Sequence, residues 1–200
     1  MTTSDGPAKG RAPKAERTPI FERLQPFAPW DERAAPNLLT TEESSDRAGR
    51  LAGASDSLAT ALDQIASNEG APASTRDALR HIATVAQWHA SVWRDRLGGA
   101  GRGDGALDGL SEQAAARQDP AESMAVLARV AVPRLLTEAV LLRAELGDEP
   151  GMDSARWFSL LIDDLESARA ELELMVQSQI GPGDGPRLAD ACAEVTKTVC

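Results

Sequence analysis

Two histidines, two cysteines and an excess of acids are the groups with which this chain could do chemistry, and their spacing limits what that chemistry is. His89 stands in AQWHASVWRDRLGG, residues 86–99, between Trp88 and Trp93, with His81 eight residues before it. Eight residues turn a helix by about 80°, so the two rings cannot grip one ion as a four-residue spacing would allow. A carboxylate-bridged two-metal centre in a helical bundle needs a Glu from each of two helices and Glu-x-x-His from each of the other two. Here Ala78 and Ala86 occupy the positions three residues before the histidines. Glu138 falls beside an apolar stripe, and Glu166 and Glu173 share a later helical segment, but that segment has no histidine. The expectation is no metal site and no cofactor, with Glu138 as the first candidate to hydrogen-bond a buried His89.

The thiols fare no better as nucleophiles. Cys192 falls on an apolar face, where a thiol behaves as a small hydrophobe. Cys200 stands beside a carboxylate and past a helix C-terminus, surroundings that disfavour a thiolate. Cys192 and Cys200 therefore remain candidates as a tail thiol, an attachment point for a partner enzyme or a redox-sensitive group, against the plainer reading of an unselected chain end. GAGRGDG, residues 99–105, follows a helix rather than a strand and has no lysine, so it is not a phosphate-binding loop. No GxSxG, HExxH or CxxC occurs, and tyrosine is absent.

The elements that must position these groups are helices. Thr40 with Glu43 makes a capping box, and Leu51, Leu58, Leu62 and Ile65 follow on one face up to Asn68–Gly70. A second helix is expected from Ser74, capped with Asp77, carrying Leu79, Ile82, Val85, Ala86, His89, Val92 and Trp93 on one stripe. His81, Trp88 and Asp95, seven residues apart, share another line on that helix. Residues 98–118 are glycine-rich and read as a disordered connection. Asp119-Pro120-Ala121-Glu122 is a strong helix start, followed by a stripe from Met124 to Leu146 that Pro133 should kink. A fourth helix from Asp153–Ser154 places Trp157, Leu161, Leu165, Ala168, Leu172 and Met175 inward. Asp184-Gly185-Pro186 starts a short fifth with Leu188, Cys192, Val195 and Val199 on one side.

None of these stripes can be buried by its helix alone, so the expected fold is all-α: an antiparallel four-helix bundle over 37–180. A flexible leader spans 1–36 and a tail with a short helix spans 181–200. The leader has net charge near +1 and concentrates Ile20, Phe21, Leu24, Phe27 and Trp30, which are expected to dock. The whole chain carries 31 acidic against 21 basic residues, a formal balance of -10, which repels phosphate backbones and anionic lipid. Nucleic acid and membrane are thus not expected partners. Two cysteines and no apolar leader run point to a cytoplasmic protein.

HASVWRDRL, AVPRLLTEAVLLRAEL and the stretch from Trp157 to Met175 together resemble ferritin-like bundle proteins of high-GC bacteria, in which a His-x-x-x-Trp helix pairs with later helices of this texture. The resemblance spans residues 37–180 and implies the fold. The Glu-x-x-His pairs of the iron-binding members are missing, so it carries over no metal ligands. The expected function is a metal-free accessory, scaffold or binding protein for a protein partner, with a homodimer among the options. Its contact residues would be His81, Trp88, His89, Asp95 and Glu138. The alternatives are a di-metal oxidase-type enzyme with a bundle-core site and a carrier modified at Cys200.

Overall fold

The computed structural model describes residues 41–96, 98, 106–146 and 154–199, which belong to one compact unit, Asn37–Cys200. The leader over 1–36, the Thr40 cap, the glycines at 99–105 and Cys200 lie outside the described residues. The secondary structure described is helical throughout: α1 Thr41–Ala66, α2 Ala73–Asp95, α3 Ala106–Ala115, α4 Pro120–Val126, α5 Val132–Leu146, α6 Ser154–Gln179 and α7 Gly185–Val199. A π-helical turn, Leu127–Ala131, joins α4 to α5 without a break. No described helix is long and apolar enough to cross a membrane.

The expected stripes are the core. Leu51, Leu58, Leu62 and Ile65 of α1 are buried, as are Leu79, Ile82, Ala86, His89, Val92 and Trp93 of α2. The α1–α2 contact is the most extensive in the molecule, and alanines line it from both sides, including Ala52, Ala59, Ala83 and Ala86. Side chains that small let two helices approach closely and gain dispersion along their length. Asn68 closes the turn between them, its Oδ1 accepting from the Gly70 N–H at 2.9 Å. At the other end Gly98 turns the chain with φ 71°, and its carbonyl accepts from the Ser45 hydroxyl.

Two expectations need correction. First, α2 begins at Ala73 after an extended Pro72, and no side chain caps it; Asp77 turns instead to Arg80. Second, the connection read as disordered over 98–118 contains α3. Leu107, Leu110, Ser111 and Ala114 recur at helical spacing, and the last three are buried, packed chiefly on α1. Burial of that stripe outweighs the helix-weakening effect of Gly109. Pro133, where a kink was expected, is accommodated by the π turn before it, in which the Val132 N–H reaches the Leu127 carbonyl. A proline has no N–H to give the carbonyl four residues back and crowds it. One wide turn relieves that conflict while keeping the rod continuous.

Asp119 caps α4 as expected, its side chain accepting from the Ala121 N–H at 2.9 Å, with Pro120 at the first helical position. On α6, Leu161, Leu165, Ala168, Leu172 and Met175 are buried, whereas Trp157 is only half-buried and its neighbour Phe158 fills the core. On α7, Leu188 and Val195 are buried and Cys192 is half-buried, all packed against the rod of α4 and the π turn or against α3.

Candidate functional site

The segment around His89 divides between two faces of α2. His89 and Trp93 point inward. The His89 Nε2 lies 3.1 Å from Asp164 Oδ2 on α6, so the partner is Asp164 rather than the expected Glu138. Which atom carries the proton is set by the tautomer; with the carboxylate ionised, Nε2–H donates. Burial pushes the His89 pKa below its ordinary 6.5, while the hydrogen bond to Asp164 and its charge pull the other way and lose. The ring is thus held neutral in the α2–α6 seam. Trp93, fully buried four residues on, meets Phe158 edge to face at 5.4 Å between ring centroids. Its indole Nε1 has no hydrogen-bond partner among the described residues.

Trp88 lies on the outer side, 39% exposed. Its ring is 6.3 Å from that of Trp157 on α6 and 5.5 Å from His89. The Arg96 guanidinium covers the Trp157 ring at 5.8 Å, a cation–π contact. Leu160, three residues beyond Trp157 on α6, is also exposed. His81 and Asp95 are exposed on α2 on the same helical line as Trp88. Two tryptophans and an arginine therefore meet along the outside of the seam whose inside holds His89, with Leu160 exposed one helical turn beyond Trp157.

The remaining candidates lie apart from this group. Glu138 is half-buried on α5, and Glu166 is exposed on α6. Glu173 takes a two-pronged hydrogen bond from Arg129 at 2.8 and 2.9 Å, which holds its carboxyl below the usual range. Among the described residues, no three of His, Cys, Asp and Glu gather closely enough to hold a metal ion. Burial raises the Cys192 thiol pKa, which opposes a nucleophilic thiolate.

The sequence reading missed Asp164, Arg96, Leu160 and the outward part of Trp157. Leu160 and Asp164 sit three and seven residues after Trp157, a helical spacing visible in the sequence; which neighbour that face meets is not. No family model, curated protein or solved structure matches the chain.

Proposed function

We propose that this chain is a ferritin-like helical bundle working in the cytoplasm as a binding protein for a protein partner, through its surface and without a metal. Cross-helix contacts support the topology. The α1–α2 ends meet through Ser45 and Gly98, α2 and α6 through Thr75 with Gln179, α4–α5 and α6 through Arg129 with Glu173, and α1 and α5 through Arg47 with Glu145. Each pair joins the first half of one rod to the last third of the other, which supports an antiparallel sense. That order is compatible with two hairpins joined by one long crossover through α3, as in ferritin-like folds, and so supports the reading.

The observation that carries the functional reading is the contrast between His89 and Trp88. The buried histidine is committed to Asp164, whereas the adjacent tryptophan stands open beside Trp157 and Leu160. Exposed tryptophans are the side chains most enriched at the energetic centres of protein interfaces. Two measurements test the proposal. Metal analysis of the full chain purified without chelator should find no stoichiometric iron or manganese; finding either would establish the di-metal enzyme instead. Trp88→Ala should weaken partner capture in the native host, or self-association by sedimentation, by roughly thirtyfold with the thermal melt unchanged. Unaltered association would remove Trp88 from the interface.

A further inference from the structure

A second surface, away from Trp88, has the character of a small-molecule site. Between the π turn, α3 and α7 runs an open groove of about 250 Å³, its apolar side formed by Leu110, Val130 and Pro133. Arg129 and Arg134 also line it, and among the described residues no acidic one does, in a chain whose formal charge is -10. In a straight α-helix, residues five apart diverge by about 140°. The π turn over Leu127–Ala131 spreads one turn over more residues and swings Arg134 back toward the face of Arg129. The two guanidinium groups thereby flank one apolar groove.

Their states differ in a useful way. Arg129 is clamped by Glu173 through Nε and Nη2, which leaves Nη1 without a protein partner among the described residues. Arg134 is exposed and has no acid partner among the described residues. The hydroxyls of Thr137 and Thr196, also in the lining, already donate to the Pro133 and Cys192 carbonyls at 2.8 Å. Donors for a ligand must then come from the arginines, and only an anion recruits both.

We propose that this groove binds a small amphipathic carboxylate, with its hydrocarbon chain on Leu110, Val130 and Pro133 and its carboxylate between Arg129 and Arg134. The groove is smaller than the roughly 300 Å³ at which ligand pockets usually begin, which favours a short acyl chain over a bulky cofactor. The site is independent of the Trp88 surface, and each can fail alone.

Titration of the isotope-labelled full chain with octanoate, followed by amide NMR, tests it. Saturable shifts are expected at Leu110, Val130, Thr137 and Thr196. Octan-1-ol, with the same tail and no charge, should bind at least about tenfold more weakly. Arg134→Gln should cost octanoate about tenfold, and Thr137→Glu, which adds an acid at the rim, should weaken octanoate but not octanol. Arg143→Gln, on α5 outside the groove, should change nothing. Shifts that do not saturate or that scatter over the surface, an equal response to octanol, or indifference to Arg134→Gln would overturn the proposal.

Discussion

Two helix contacts in this molecule are made by opposite means. Where α2 meets α6, the join is mainly aromatic: Trp93 packs against Phe158, with the His89–Asp164 pair and a Thr75–Gln179 hydrogen bond beside it. Where α7 meets α4, three apolar side chains of α7, Leu188, Ala191 and Val195, are buried beside an ionic clasp. Arg187 reaches Asp119 and Glu122, and Arg117 reaches Glu122 and Glu194. Partial burial works against the Asp119 charge, but the hydrogen bonds from Arg187 and the Ala121 N–H outweigh it and hold that carboxyl below its ordinary range. The first contact contains the residue type most associated with catalysis and uses it as a seam. The second consists of residues usually read as solvated surface. Residue type alone therefore misleads about where chemistry sits; burial and partner decide.

The sharpest way to break the aromatic seam is Trp93→Ala, which should cost about 3–5 kcal/mol in denaturant unfolding. Trp93→Phe should cost less, because it also removes a buried N–H that has no partner. Asp164→Ala leaves the His89 Nε2 buried without its bond and should cost about 1–3 kcal/mol, whereas Glu138→Ala should cost about 0.5 kcal/mol or less. Equal costs for the two acids would return Glu138 to the seam.

Acid should act on the seam as well. Since the folded pKa of His89 is lowered from 6.5, the unfolded chain takes up this proton first as pH falls. The His89 contribution is fully present above about pH 6.5 and is lost as pH falls from there toward the folded value. His89→Gln should flatten that part of the stability–pH curve. The clasp should respond to salt instead: Arg187→Ala, or high salt, should speed amide exchange along α7 with little change in the exchange of α2 and α6. Uniform loosening of all three would show that the two contacts do not differ in kind.

The helices were legible wherever an apolar stripe coincided with local punctuation. Asp119-Pro120 and Asp184-Gly185-Pro186 mark starts by chemistry the backbone requires, and the structure begins helices there. α3 was hidden because its glycine-rich approach masks a four-residue stripe that acquires meaning only against α1. The π turn was hidden for a related reason: Pro133 announces a conflict with the helix but not which way it is resolved. That turn in turn brings Arg129 and Arg134 toward one face, so the groove could not be read at constant helical phase. Placing His89 on the buried stripe of α2 was within reach of periodicity. Choosing Asp164 over Glu138 was not, because the choice depends on the register between α2 and α6.

The claim that His89 is a seam residue rather than a working site is tested most directly by NMR titration of its ring in the folded, full-length chain, with and without added Mn²⁺ or Zn²⁺. The account predicts a neutral ring that titrates below 6.5, keeps its bond to Asp164 and does not respond to either ion. A ring that titrates above 6.5, or whose resonances shift or broaden saturably at one equivalent of metal, would contradict it.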